Sequence, residues 1–155
     1  MKKFTLLVLV LFLALVLSAC HKIDASPNVS ASSDDQNQIE ANQQTADKLE
    51  VYYFHGTKRC VSCLTIGEYI NKTMMEYFSE EIADGRIDYM EVNIDFPENK
   101  DLARKFQASG SSLFINAIRG EDDDIQNVLE VWSLKSDENK FKSFLKQKID
   151  NLLAK

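Results

Sequence analysis

Histidine, proline and tryptophan are scarce in this chain of 155 residues, which has two histidines, two prolines and one tryptophan. Two histidines supply histidine-based catalysis poorly. A structural zinc site needs four ligands, and only His21 and His55 could add to a cysteine pair. The sequence also lacks the phosphate-binding GxxxxGK, dinucleotide-binding GxGxxG and zinc-protease HExxH motifs. These absences argue against nucleotide-dependent and metalloprotease chemistry.

Positive charge is also in short supply, because 18 basic residues face 24 acidic ones and the net charge is −6. Such a chain is not expected to bind nucleic acid or an anionic lipid surface electrostatically. The densest acidic run, Glu121–Asp124, lacks the Asp-x-Asp-x-Asp-Gly spacing of a calcium loop. We interpret this run as a solvated turn.

The N-terminus has the pattern of an export signal. A basic MKK start precedes an apolar run over residues 4–17, which is shorter than the roughly 20 residues of a spanning helix. The LSAC sequence that ends at Cys20 resembles a bacterial lipobox, whose cysteine is acylated, for example with palmitate. We expect residues 1–19 to be a signal peptide, with an uncleaved signal anchor as the alternative. The protein would then be lipid-anchored in the bacterial cell envelope, facing outside the cytoplasm.

Residues 20–47 are rich in Ser, Asn, Gln, Asp and Ala, and they predict a flexible tether behind the lipidated Cys20. A short helix over Ile39–Lys48 is the alternative interpretation. Residues 48–155 predict one domain, because this length suffices for a single hydrophobic core.

The domain shows an alternating β-α-β-α-β-β-α pattern. It predicts strands at 49–54, 87–94, 112–118 and 127–134, and helices at 60–82, at 97–106 and from 137 onward. The strand–helix–strand units imply parallel pairing with right-handed crossovers. The short acidic turn Gly120–Asp124 implies one antiparallel hairpin. We therefore expect an α/β fold with a mixed four-stranded sheet flanked by helices on both faces.

Cys60 and Cys63 form a C-x-x-C pair where the first strand gives way to a helix. The unpaired N–H groups and positive end of a helix favour a thiolate there, and the spacing permits a disulfide. If Cys20 carries lipid, no other cysteine is left over, and export places the pair outside the reducing cytosol.

With this pair, the element order over residues 49–155 resembles the thioredoxin fold. The resemblance is carried by CVSC at 60–63, VNID at 92–95, the helix ending in Phe106, Gly110 before the third strand and the lysine-rich last helix. The sequence YYFHG at 52–56 with Arg59 resembles a poorly characterised group of envelope thioredoxin-like proteins, in which the Val131-Trp132 pair also recurs.

Several positions depart from the pattern that the resemblance implies. Arg59 replaces the usual Trp before the first cysteine, and Val61-Ser62 replaces the usual Gly-Pro between the two. The buried acid of the family would fall on Phe54, and its lysine partner would fall on Glu91. The cis-proline facing the sulfurs would fall on Ser111 or Ser112, and no proline follows Pro97. Glu91 is a candidate substitute proton acceptor if it points at the site, and otherwise an exposed strand carboxylate. A serine hydroxyl there is a candidate donor to a thiolate, and otherwise an ordinary loop residue.

Lys58 and Arg59 precede the pair directly, so each is a candidate to lower the pKa of Cys60 electrostatically. The alternative is that both are solvated turn residues. We expect His55 to be a polar residue at the strand end.

Three roles for the dithiol remain open. In thiol–disulfide exchange, Cys60 would attack a substrate and Cys63 would resolve the mixed disulfide. A non-enzymatic binding module or a soft-metal carrier for copper could use the same two sulfurs. A disulfide that only staples the helix start would gain little, because its loop is short. We favour exchange with protein or small-molecule thiols and disulfides of the envelope, by a monomer that needs no cofactor or resident metal.

Overall fold

The computed structural model describes residues 45–153. The predicted signal peptide at residues 1–19, the predicted lipidation of Cys20 and the tether up to residue 44 lie outside the described residues. Residues 45–47, at the end of the predicted tether, are not helical, and the backbone N–H of Asp47 donates to the carbonyl of Ile118. No helix within 45–153 has the length and hydropathy needed to cross a membrane.

Four strands and five α-helices make up the described region. In chain order they are β1 (Lys48–His55), α1 (Val61–Tyr77), α2 (Ser79–Ala83), β2 (Ile87–Asn93), a 3-10 turn (Pro97–Asn99), α3 (Lys100–Lys105), β3 (Ser112–Arg119), β4 (Asp122–Asn127), α4 (Val131–Leu134) and α5 (Glu138–Leu153). The strands form one sheet in the order β2-β1-β3-β4. This mixed four-stranded sheet between helices confirms the predicted fold class.

Only the first of the two predicted parallel pairings is correct. β1 runs parallel to β2, but β3 runs antiparallel to β1, with Ser112 opposite Phe54. A parallel crossover must carry the chain back along the whole strand, about 23 Å for the seven residues of β2. The six-residue α3 is about 9 Å long, so the chain re-enters the sheet at the end where β2 left it.

The predicted strand at 127–134 is wrong. The acidic residues that we assigned to a turn form the edge strand β4 instead, and the turn is limited to Gly120-Glu121, where Gly120 has a φ of 61°. Charged side chains suit an exposed sheet edge, because they oppose pairing with another chain. Val128 and Val131 are both fully buried, but Val131 begins the helix α4.

The predicted helix at 60–82 is divided in two. Its backbone leaves helical geometry at Phe78, with φ −131° and ψ 17°, and the ring of Phe78 remains fully buried. The periodicity of apolar residues therefore continues through a break that it does not reveal.

Apolar side chains cover both faces of the sheet. One cluster lies between the sheet and the helices α1 and α5, and it includes Val51, Tyr53, Ile66, Ile70, Leu145 and Ile149. The other lies beneath α3 and consists of Tyr52, Phe54, Val92, Ala103, Phe106 and Phe114. Because successive side chains alternate along β1, Tyr53 and Phe54 point to opposite clusters. This central strand, buried on both faces, leads directly into the cysteine loop.

Candidate functional site

The loop between β1 and α1 is tied to the end of β2. The carboxylate of Asp95 accepts a hydrogen bond from the backbone N–H of Thr57 at 2.7 Å, and the amide of Asn93 donates to the hydroxyl of Thr57 at 3.0 Å. The Thr57 N–H holds the pKa of Asp95 below its usual range. These contacts fix the path of the chain just before the cysteines.

Cys60 and Cys63 are joined as a disulfide at the start of α1, with their Cα atoms 5.0 Å apart. Cys60 is the N-cap residue, and its sulfur accepts a hydrogen bond from the backbone N–H of Cys63 at 3.1 Å. Cys60 is exposed, whereas Cys63 is only 9% exposed. The structure therefore places the pair at the predicted strand-to-helix junction, with one sulfur-bearing residue reachable and the other buried.

The side chain of Arg59 packs against the first turn of α1 and is only 19% exposed, so Arg59 is not a solvated turn residue. Its Nη1 atom lies 3.2 Å from Oε2 of Glu91, and its Nη2 atom donates to the backbone carbonyl of Cys63 at 3.4 Å. The guanidinium also stacks over the ring of Tyr53, 5.4 Å from the ring centre. Lys58, the other predicted modulator, is exposed.

Tyr53 is the residue of the site that the sequence analysis missed. Its hydroxyl donates to the carbonyl of Cys63 at 2.7 Å, from a fully buried position. Burial raises the pKa of Tyr53, and the nearby side chains of Arg59 and Ser111 oppose that rise. Tyr53 had two sequence signals, its alternation with Phe54 and its place in the YYFHG stretch, but an aromatic residue in a central strand is usually interpreted as part of the core.

Phe54 does not lie beneath the dithiol, although the resemblance aligned it with the buried acid of the family. Its ring packs against Phe106 and Phe114 on the other face of the sheet, with centres 5.4 and 5.7 Å away. The residue directly opposite Glu91 in the sheet is Tyr53. A tyrosine hydroxyl, and not a carboxylate, therefore contacts the backbone of the second cysteine.

Glu91 and the two serines occupy different places at the site. The contact of Glu91 is with Arg59, so it reaches the cysteines through that side chain. Ser111 lies beside the phenol of Tyr53. Ser112 donates to the carbonyl of Gly110 at 3.0 Å and so serves its own loop. Of the two serine candidates, the structure brings Ser111 into the site.

No cluster of three or more His, Cys, Asp or Glu side chains that could hold a metal ion occurs within residues 45–153. His55 contacts the neighbouring carbonyl of Gly56 at 2.9 Å. A soft metal ion would have to replace the disulfide and bind to Cys60 and Cys63 alone, with its remaining ligands supplied from outside this part of the chain.

No protein-family model and no curated protein matches the chain. Among solved structures, the thioredoxin Deadhead of Drosophila melanogaster is 18% identical over 65% of this chain and 81% of that chain, with a TM-score of 0.42. The Trx4 domain of ERdj5 is 10% identical over 72% of this chain and 90% of its own, with a TM-score of 0.46. A thioredoxin from Thermus thermophilus is 16% identical over 66% and 76%, with a TM-score of 0.36.

These identities and TM-scores are low, so the fold class rests on the topology of this chain itself. That topology is a strand order of β2-β1-β3-β4, helices on both faces and a cysteine pair at the end of the central strand β1. The mixed four-stranded sheet, the helices on both of its faces and the cysteine pair after the first strand agree with the thioredoxin-like fold class predicted from the sequence. A C-x-x-C disulfide in this position can take up and give back two electrons, which is the basis of thiol–disulfide chemistry.

Proposed function

We propose that the protein is a thiol–disulfide oxidoreductase of the bacterial cell envelope that works through Cys60 and Cys63. The asymmetry of the pair carries this proposal. The sulfur of Cys60 caps α1 and accepts a backbone N–H, which favours its thiolate, and Cys60 is exposed. Cys63 is buried one turn further along, where it can reach the sulfur of Cys60 but is shielded from a large substrate.

The exchange proceeds in two displacements when the protein acts as a reductant. The Cys60 thiolate attacks one sulfur of a substrate disulfide, which breaks the substrate S–S bond and releases one substrate thiolate. The Cys63 sulfur, after losing its proton to solvent, then attacks Cys60 and releases the second substrate thiolate. Two electrons pass to the substrate, both substrate sulfurs take up protons, and the Cys60–Cys63 disulfide is formed. Oxidation of a substrate dithiol is the reverse sequence.

The placement in the envelope is proposed from the sequence of residues 1–47. A lipid on Cys20 and a polar tether would hold the domain near a membrane surface, where protein or small-molecule thiols and disulfides are its partners. Two or more acyl chains hold a protein firmly, since each buried methylene contributes about 0.8 kcal/mol. We propose that it acts there as a monomer.

Reduction of insulin disulfides, or oxidation of a reduced peptide, tests the activity. We expect activity in a Cys20→Ala chain, which keeps the pair and removes the third thiol. Cys60→Ser in that background should abolish it, because no other exposed thiol can attack. Cys63→Ser should accumulate mixed disulfides on Cys60, since the resolving sulfur is gone. Unchanged turnover in the Cys60→Ser variant would remove the enzymatic proposal.

A further inference from the structure

The guanidinium of Arg59 lies in a space beside helix α1 that exists because Gly67 has no side chain. A Cβ atom on Gly67 would lie 2.3 Å from Nη2 of Arg59 and 2.9 Å from the ring of Tyr53, closer than side chains approach one another. Glycine within a helix costs roughly 1 kcal/mol relative to alanine. Helix α1 therefore carries a destabilising residue at the one point where this guanidinium must fit.

Arg59 and Glu91 are the oppositely charged groups with fixed positions at the dithiol. The guanidinium adjoins Cys60 in the chain and touches the carbonyl of Cys63, and its side chain is only 19% exposed. Glu91 pairs with Nη1 of the same guanidinium at 3.2 Å, and 34% of its side chain is exposed. Partial burial reduces solvent screening, so both charges are felt at the sulfurs more strongly than free surface charges would be.

The other ionisable groups at this end of the sheet act less directly. His55 ends β1 and contacts the carbonyl of Gly56, and Lys58 is an exposed loop residue. The carboxylate of Asp95 accepts a hydrogen bond from the backbone of Thr57. Tyr53 and Tyr89 stay neutral near pH 7, because burial raises the pKa of each phenol, that of Tyr89 to about 12. On α1, Glu68 is paired with Lys72 at 2.9 Å.

We propose that Arg59 and Glu91 set the reduction potential of the Cys60–Cys63 couple in opposite directions, with Arg59 raising it and Glu91 lowering it. The inference rests on the proposed function and names the residues that tune it. A positive charge near Cys60 stabilises the thiolate of the reduced form, and a negative charge opposes it. Both residues act as positioning and electrostatic groups, and neither reacts with substrate.

The potential is measured by equilibrium with glutathione. Two glutathione thiols reduce the protein disulfide to the dithiol, and one glutathione disulfide forms, so two electrons and two protons are transferred. Quenching with acid and labelling with a maleimide reagent then gives the reduced fraction by mass. All variants are made in the full chain with Cys20→Ala, and the pH dependence of Cys60 alkylation gives the thiol pKa of the same proteins.

The exchange constant is the equilibrium constant for reduction of the protein disulfide by glutathione, so it rises with the reduction potential of the protein. We expect Arg59→Met to lower the exchange constant about 3- to 10-fold, where tenfold corresponds to about 30 mV for two electrons. Glu91→Gln should raise the constant by a similar factor. Arg59→Lys keeps the charge and should stay within about twofold of the parent chain, and Arg59→Met with Glu91→Gln should also return close to it. The thiol pKa of Cys60 should move in the opposite direction to the exchange constant in each single variant.

The matched control is Arg119→Met, which removes an arginine paired with Asp124 at 3.4 Å at the far end of the sheet. It should leave the exchange constant unchanged. If the two residues had a purely structural role, the exchange constants of Arg59→Met and Glu91→Gln would change in the same direction or would both equal the parent value. Either result overturns the inference. If the parent chain exchanges with glutathione and the variants have the same exchange constant, this inference is overturned but the proposed function is not. If the parent chain does not exchange with glutathione at all, the proposed function is overturned as well.

Discussion

The two faces of the central strand β1 differ in chemistry although they belong to adjacent residues. On the α3 face, Phe54 packs with Phe106 and Phe114 in an apolar cluster. On the α1 face near the cysteines, Tyr53 and Arg59 both donate to a single backbone carbonyl. Apolar packing needs only shape and volume, whereas the polar face needs partners in register. The comparison indicates that Phe54 contributes apolar packing alone, whereas the α1 face, which also carries the larger apolar cluster, supplies the polar contacts to the cysteine backbone.

The largest expected effect comes from breaking the apolar face. Phe106 is buried among Tyr52, Phe54 and Phe114, so Phe106→Ala should reduce the free energy of unfolding by about 3–5 kcal/mol. Denaturant unfolding measures the loss. Met75→Ala, at an exposed position of α1, should stay within about 0.5 kcal/mol. If the folded Phe106→Ala chain also had a changed glutathione exchange constant, the two faces of β1 would not have separate roles.

Removing one hydroxyl from each face sharpens the comparison. Tyr53→Phe leaves the carbonyl of Cys63 without its 2.7 Å donor, and Tyr52→Phe removes a 2.8 Å hydrogen bond to Asp88. Each change should cost about 1–2 kcal/mol in unfolding experiments. Only Tyr53→Phe should alter the exchange constant, because only its hydroxyl contacts the cysteine backbone. Equal exchange constants in the two variants would contradict the division of roles.

A smaller effect is expected at Gly67. Alanine in a helix interior normally adds about 0.5–1 kcal/mol over glycine. Here the new methyl group would displace the guanidinium of Arg59, so we expect Gly67→Ala to gain little or no stability. The exchange constant should move in the same direction as in Arg59→Met. A full gain in stability with an unchanged exchange constant would show that the guanidinium does not need this space.

The smallest expected effect is a pH dependence from Asp95. Its pKa lies below the ordinary value of 3.8, because the folded loop donates a backbone N–H to the carboxylate. The stabilisation is therefore complete above the unfolded pKa and is lost as the pH falls through the folded pKa. Thermal unfolding of the parent chain and Asp95→Asn should differ at pH 7, and the difference should shrink toward pH 3. A difference that is constant with pH would contradict this reason.

The parts of the fold that follow from local patterns were predictable. The aromatic strand β1, the cysteine pair and the amphipathic helix α5 were each identified from a short stretch of sequence. β4 was not, because charged residues at a sheet edge are indistinguishable from a polar turn until the register is known. The antiparallel direction of β3 was not predicted either, because it depends on the length of α3, which is too short for a parallel crossover.

At the site, the sequence identified Arg59 and Glu91 singly but gave no sign that they form a pair. They are 32 positions apart, and they meet only because β1 and β2 align in parallel with Tyr53 opposite Glu91. The signal that could have been noticed is Gly67, a glycine in the middle of an otherwise strong helical pattern. Glycine in a helix interior costs about 1 kcal/mol relative to alanine, so such a residue suggests that another group needs the space.

The most direct test of the account is the alkylation rate of each cysteine in the reduced chain, with Cys20→Ala to remove the third thiol. The account predicts that Cys60 reacts first at pH 7, with a thiol pKa below the 8.5 typical of a free cysteine, and that Cys63 reacts slowly until the protein unfolds. Equal and slow labelling of both residues would contradict a nucleophilic Cys60 and, with it, the proposed exchange chemistry.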